Sequence, residues 1–227
     1  AMRQQEQFTA DAAHELRTPL AIMKSTLQTL QMRPRTVAEY RESLDDALRD
    51  IDRMEQLVQQ LLTLARLDST NRTSDFTDVR LDVLLKSLAD VFADRAERQG
   101  ARIACTDHEG VRVRGDETEL WQLFSNLLDN ALRYGPSDGV VRISLQDGPD
   151  RWVTACVHDD GGGIPPEKLP RLFDRFYRVD SSRSQASGGS GLGLAIVREI
   201  VQRHHGEIEI TSDPQSGTSV IVRLPRS

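Results

Sequence analysis

The chain has 227 residues, enough for one large domain or two modest ones, each able to bury a core. With 38% hydrophobic and 28% charged residues and a formal charge of −6, it reads as a globular protein without the basic face that nonspecific nucleic-acid binding needs. No apolar run approaches the ~20 residues of a membrane-spanning helix and no signal peptide opens the chain, so a soluble segment is expected. The start, "AMRQQEQF", enters a helical pattern without a capping residue, as a piece excised from a longer protein would. Cys105 and Cys156 lie far apart in stretches of alternating apolar residues and read as reduced core residues, neither a disulfide framework nor a metal site.

From Phe8 the apolar positions run Phe8, Ala12, Leu16, Leu20, Met23, Leu27 and Leu30, in steps of three and four. After "RPRT" the pattern resumes at Val37, Tyr40, Leu44, Ala47, Ile51, Met54, Val58, Leu61 and Ala65, with the alternating steps of a heptad. Two helices of roughly 30 residues, each ~45 Å long and joined by a short loop, predict an antiparallel hairpin. Leu48, Leu57, Leu62 and Leu64 widen the second stripe beyond one seam. Two chains are therefore expected to pair into a four-helix bundle; the alternative is a monomeric hairpin packed on a second domain.

Inside the first helix, "DAAHELRTPL" carries His14, Glu15 and Thr18, followed by Pro19. The "HE" pair does not open a zinc-protease H-E-x-x-H, because Thr18 stands where the second histidine would be. His14 lies two residues from both Ala12 and Leu16, about 200° from each, and so points away from the seam. Pro19 cannot donate to the carbonyl of Glu15, so the helix is expected to loosen or bend just beyond His14.

Residues 68–78, "DSTNRTSDFTD", are polar and turn-rich and read as a linker. Beyond them the period changes. Residues 82–98 and 116–134 read as helices, and "VVRISLQ" and "WVTACVHD" as a hairpin of strands. A further helix is expected over about 191–204, and "EIEITS" with "TSVIVRLP" closes the chain as a second hairpin. Helices mixed with antiparallel hairpins predict an α+β layer. The stretch 180–190, "DSSRSQASGGS", reads as a mobile lid before a helix.

Three stretches of this second half carry chemistry. The helix over 116–134 sets Asn126, Asn130, Arg133 and Tyr134 on one face, opposite Leu120, Leu123, Leu127, Leu128 and Ala131. A solvated polar face would explain the first pair as well. An amide oxygen, however, suits Mg²⁺, a guanidinium suits phosphate and a phenol ring can stack on a base. "HDDGGGIP" follows a strand: a carboxylate buried there could accept from an exocyclic amine, or the stretch is an ordinary Asp-Gly turn. "GGSGLGLAIV" runs glycines into an apolar helix whose free N–H groups offer a phosphate site. The polar lid precedes it instead of a strand, so it is not a dinucleotide fingerprint, and the chain has no P-loop motif.

These motifs together resemble the cytoplasmic core of bacterial sensor histidine kinases. "FTADAAHELRTPL" is similar to the family's H box, "LFSNLLDNALRY" to its N box, "DDGGGIP" to G1, "RLFDRFYRVD" to the F box and "GGSGLGLAIV" to G2. The resemblance implies a multi-domain fold: an all-α helical hairpin forming a dimeric four-helix bundle, then an α+β sandwich of the gyrase and histidine-kinase ATPase type. It places a dimerisation and histidine-phosphotransfer domain at 1–67, the linker at 68–78 and a catalytic ATP-binding domain at 79–227. It assigns His14 as phosphoacceptor, Asn130 as Mg²⁺ ligand with Asn126 in support, Tyr134 to the adenine pocket and Asp159 to the adenine amine. Arg133 and Arg178 would face phosphates. Gly161, Gly163, Gly189, Gly191, Leu192 and Gly193 would bring backbone close to the nucleotide, and Phe173 and Phe176 would anchor the lid.

An exposed imidazole is mostly neutral at neutral pH, as a nucleophile must be. Glu15 can accept the Nδ1 proton and leave the Nε2 lone pair for a γ-phosphate of ATP, and Thr18 can position a water. The resemblance implies ATP and Mg²⁺ as cofactors, autophosphorylation, relay to the receiver domain of a cognate response regulator, and phosphatase activity toward it. It also implies a homodimer, no nucleic-acid partner, and a membrane anchor upstream, which would make this the cytoplasmic portion of a bacterial inner-membrane protein. Two departures stand out. Asp160 replaces a frequent Asn and adds a charge beside the pocket, and His205 precedes Gly206 where a glycine is more usual, which is expected to strain a turn. An ATPase clamp that never labels itself and a nucleotide-binding scaffold are the rival readings. The sequence leaves open whether transfer runs within or between chains.

Overall fold

A computed structural model describes residues 2–69, 76–106, 109–148, 151–179 and 189–227. Most of the expected linker and of the lid, residues 70–75 and 180–188, therefore lie outside the described residues.

Helices α1 (Met2–Gln31) and α2 (Val37–Ser69) form the hairpin. The start of α2 is fixed by a reciprocal capping pair in "TVAE": Thr36 Oγ1 accepts from the Glu39 N–H, and Glu39 Oε2 accepts from the Thr36 N–H at 2.8 Å. That second hydrogen bond holds the Glu39 carboxyl below its ordinary range. The heptad of α2 divides between two surfaces. Ala47, Leu57, Leu64 and Leu67 are buried, whereas Leu44, Leu48, Ile51 and Leu62, with Leu20, Ile22 and Leu27 of α1, stand 41% to 56% exposed. An apolar stripe of that length on a solvated helix pair marks an interaction surface. Helix α1 runs through Pro19 without ending.

A short antiparallel pair, β1 (Thr77–Arg80) with β3 (Arg112–Gly115), leads into the second unit. Its main sheet contains β2 (Arg102–Cys105), β4 (Val140–Asp147), β5 (Trp152–Asp159), β6 (Glu207–Asp213) and β7 (Gly217–Pro225) in the order β2-β4-β5-β7-β6. Only β2 runs parallel to its neighbour. One face of the sheet offers Val141, Ile143, Val153, Ala155, Val157, Val222 and Leu224. Helices α3 (Leu81–Arg98), α4 (Glu117–Tyr134) and α5 (Gly193–Arg203) contribute Leu88, Leu120, Leu127, Ile196 and Ile200 to the same core. Leu57, Leu64 and Leu67 of α2 join that cluster, so the hairpin packs on the sandwich through apolar side chains.

Two expectations change here. Neither cysteine belongs to the core: Cys105 is exposed because β2 is an edge strand, and Cys156 is half-buried on the sheet face opposite the helices. Neither is disulfide-bonded. The strands β1, β2 and β3 come as additions to the two expected hairpins, which are present with antiparallel register.

Candidate active site

Strand β5 buries every second residue, Val153, Ala155 and Val157, and its last inward position is Asp159. The strand period alone thus carries a carboxylate to the inner end of the sheet. Asp159 is 9% exposed, and its Oδ1 accepts from the Gly161 N–H at 2.9 Å. Burial pushes the carboxyl up, against the opposing pull of the Gly161 N–H. Opposite it on β7 stands Thr218. The neighbouring Asp160 adds the charge expected beside the pocket, and that charge also pushes the Asp159 carboxyl up. Arg142 Nη1 donates to Asp160 at 2.6 Å and holds it below the usual carboxylate range, and His158 Nε2 lies 3.3 Å away.

Helix α4 begins at Asp116, whose carboxylate caps the N–H groups of Thr118 and Glu119 at 2.8 and 3.0 Å. Its polar face meets the start of α5: a Cβ on Gly193 would lie 3.3 Å from Asn126 Oδ1 and 4.0 Å from Asn130 Nδ2. Asn126 Nδ2 donates to the Gln122 carbonyl at 2.9 Å, so that amide's orientation is fixed by its own helix. Asn130 has no hydrogen-bond partner among the described residues and lines the cavity. Arg133 is partly engaged, with Nη2 on Asp129 at 2.7 Å while Arg95 holds the other oxygen at 2.6 Å. Its Nη1 and the Tyr134 hydroxyl flank Gly189. Gly191 lies so close to the Phe176 backbone that a Cβ would come within 2.7 Å of the Phe176 carbonyl carbon.

A cavity of about 1650 Å³ joins these groups to the hairpin. His14, Glu15 and Thr18 line it together with Asn126, Asn130, Arg133, Tyr134, Asp159 and Arg178. Gly161, Gly163, Gly189, Gly191, Gly193 and Phe176 complete the wall. Arg178 stands out, because its Nε and Nη2 are buried and have no hydrogen-bond partner among the described residues. Burial depresses its pKa, and the nearby Glu15 carboxylate works in the opposite direction. Glu15 is therefore near Arg178, and among the described residues it makes no hydrogen bond to the His14 ring. The Thr18 hydroxyl donates to the His14 carbonyl at 3.2 Å. Leu192 and Phe173 stand apart: Leu192 is fully buried in the core, and neither side chain reaches the cavity.

Residues 4–70 match the His Kinase A (phospho-acceptor) domain family, and residues 115–227 match the histidine kinase-, DNA gyrase B- and HSP90-like ATPase family. The chain belongs to the sensor histidine kinases. The phosphate regulon sensor protein PhoR of Pseudomonas aeruginosa is 38% identical over 213 residues, 93% of this kinase chain and 48% of PhoR. Full-length ShkA, solved in complex with AMPPNP, has 25% identity and a TM-score of 0.72 over 98% of this chain and 46% of that one. ThkA, solved in complex with the response regulator protein TrrA, shares the fold, with a TM-score of 0.78 at 23% identity over 97% of this chain and 61% of that one. The kinase chain spans about half the length of the curated relatives it matches.

Several contacts of the kinase site pair residues that no single motif joins. Gln60 on α2 accepts from the Ser190 hydroxyl at 2.5 Å, and Thr63 accepts from Gln122 at 3.2 Å. Arg175 donates to both oxygens of Asp68 at 2.9 and 3.0 Å and lies 4.9 Å over the ring of Phe8, which meets Phe176 at 5.9 Å. Nothing in local periodicity announces these pairings, because each crosses the boundary between hairpin and sandwich.

Proposed function

We propose that this chain binds Mg-ATP in the cavity and autophosphorylates His14. The carrying observation is that His14 and Arg178, whose Nε and Nη2 have no hydrogen-bond partner among the described residues, open onto one cavity with Asn130 and Asp159. A half-buried guanidinium with two buried nitrogens uncommitted among the described residues fits an anionic ligand, and a buried strand-end carboxylate fits an exocyclic amine. Asn130 fits Mg²⁺, since its amide is uncommitted among the described residues and offers a hard oxygen. Mg²⁺ there would neutralise charge on the phosphates. Tyr134 and Asp159 hold the base, Arg178 and the Nη1 of Arg133 face the phosphates, and Asn126 supports Asn130. The Nε2–P bond forms as the bond from the γ-phosphorus to the ADP oxygen breaks. Glu15 takes up the Nδ1 proton.

The phosphoryl group then passes to an aspartate of a response regulator, and Thr18 orients a water for regulator dephosphorylation. The exposed stripe on α1 and α2 pairs two chains into a four-helix bundle, within the cytoplasmic part of a protein anchored upstream in the membrane. Among the described residues no helix is long and apolar enough to cross a membrane. Incubation with γ-labelled Mg-ATP tests the reading. Acid-labile, base-stable label is expected on the wild type, and none on His14→Gln or Asn130→Ala. Label persisting on His14→Gln overturns the assignment. ATP turnover without label favours an ATPase clamp, and nucleotide binding alone favours a scaffold.

A further inference from the structure

Polar contacts among the described residues tie the last third of α2 to the nucleotide-binding unit, including Gln60 with Ser190, Thr63 with Gln122, and Asp68 with Arg175. The buried Leu57, Leu64 and Leu67 lie among them at helical spacing, which makes this one docking face. Only Gln60 reaches the glycine loop. The Ser190 hydroxyl serves two partners: it donates to Gln60 Oε1 at 2.5 Å and accepts from the Leu192 N–H at 3.1 Å. Leu192 is the cap residue of α5, so that N–H belongs to the unsatisfied group at a helix start. The Leu192 side chain is locked in the core, and the flanking Gly191 and Gly193 lie against Phe176 and against Asn126 with Asn130. The hydroxyl of Ser190 therefore sets the path of a loop whose two ends are already fixed. Its own orientation is set from the other domain. When the nucleotide unit leaves the hairpin, Ser190 loses the acceptor that Gln60 supplies.

We infer that Gln60 is a positioning residue for phosphoryl transfer: docked against the hairpin, it aligns Ser190 and the glycine loop beside Asn130, so that loop geometry and access to His14 are established in the same step. Gln60 lines the cavity that holds His14 and Asn130. It does so from the phosphoacceptor hairpin, so it acts on docking and not on nucleotide capture by the free domain. The inference rests on the kinase reading above.

Two near-isosteric variants of the full chain test it. Gln60→Met keeps length and helix propensity but removes the acceptor, whereas Gln60→Glu keeps an acceptor oxygen. With γ-labelled Mg-ATP, Gln60→Met is expected to lower the maximal labelling rate of His14 roughly five- to tenfold, the scale of one hydrogen bond. The half-saturating ATP concentration is expected to stay within about twofold, as is the affinity for a fluorescent ATP analogue, because the loss falls on transfer and not on binding. Gln60→Glu is expected to retain more than half of the wild-type rate. Gln60→Met combined with Ser190→Ala is expected to be no slower than the slower single variant, since both remove one interaction. Wild-type labelling by Gln60→Met overturns the inference, as does a Gln60→Glu variant as slow as Gln60→Met, or losses that multiply in the double variant. Those results leave the kinase reading standing. An unlabelled wild-type chain overturns the kinase reading and this inference with it.

Discussion

Replacing Gly217 by alanine tests how the sheet holds Asp159 in place. Gly217 opens β7 with φ +86°, and a Cβ there would stand 1.9 Å from the Asp159 carbonyl oxygen and 2.9 Å from the Asp160 Cα. The left-handed backbone costs a non-glycine residue about 1–3 kcal/mol. The added methyl intrudes roughly 1.5 Å inside ordinary contact distance, against backbone and not against a side chain that could swing away. Overpacking of that kind adds about 1–3 kcal/mol. The sum, about 2–6 kcal/mol, lowers the melting midpoint by about 4–24 °C for a chain of this size. Relief comes by displacing the end of β5, which carries the carboxylate assigned to the adenine amine. Affinity for a fluorescent ATP analogue is expected to fall at least tenfold, about 1.4 kcal/mol. Gly110→Ala is the control: its φ is +80° but nothing lies within 4 Å of its Cβ position. It carries the backbone cost alone and leaves nucleotide affinity unchanged. A Gly217→Ala chain no less stable than the control, with wild-type affinity, would refute the reasoning.

His204 makes the fold sensitive to acid. Its Nδ1–H donates to the Ile200 carbonyl at 2.8 Å, its Nε2 accepts from the Asp116 N–H at 3.1 Å, and its ring stacks on Phe76 at 4.5 Å. The nearest carboxylate, that of Glu119 at 3.9 Å, is already held by Arg203 at 3.1 Å. Burial depresses the pKa below 6.5, so the folded chain binds fewer protons than the unfolded one as pH falls below that value. The stability is present above pH 6.5 and lost on acidification. Between pH 7.5 and 5.5 the unfolding free energy of the wild type is expected to drop about 1 kcal/mol more than that of His204→Gln, and equal drops in urea titrations would contradict this. For assembly, Leu44→Glu with Ile51→Glu places charges on positions 50% and 46% exposed in the single chain. Sedimentation is expected to show a helical monomer, and a dimer that persists would remove these residues from the interface.

The legible parts were those governed by local period. The heptad of α2 contained more apolar positions than one seam accepts, and the structure divides them between a buried set around Leu64 and an exposed set around Leu44. Alternation along "WVTACVHD" marked the strand and left a buried carboxylate at its end as one of two readings; the period that buries Asp159 is the one that takes Cys156 out of the core. What stayed hidden depends on register between distant segments. Val79 is buried through β1 pairing with β3, yet "TDVR" and "RVRG" are too short and too charged to announce strands. Ser190 meets Gln60 across 130 residues, and Gly217 meets Asp159 because β5 and β7 pair in one particular register. The strain expected at His205 is present, with φ +53°, where α5 turns into β6. Its neighbour His204, which carries the buried ring, had no local signal at all.

Arg175 is held by one side chain from near the beginning of the hairpin and one from near its end, the Phe8 ring at 4.9 Å and the Asp68 carboxylate at 2.9 Å. A guanidinium gripped in this way compares two positions. If α1 and α2 move together and carry the nucleotide-binding unit with them, both distances are preserved and nothing changes at the neighbouring Phe176. If one helix slides past the other by a single residue's rise, about 1.5 Å, the carboxylate contact stretches beyond hydrogen-bond range or the ring contact opens. The base of the hairpin thus meets the nucleotide-binding unit through both of its helices at one guanidinium.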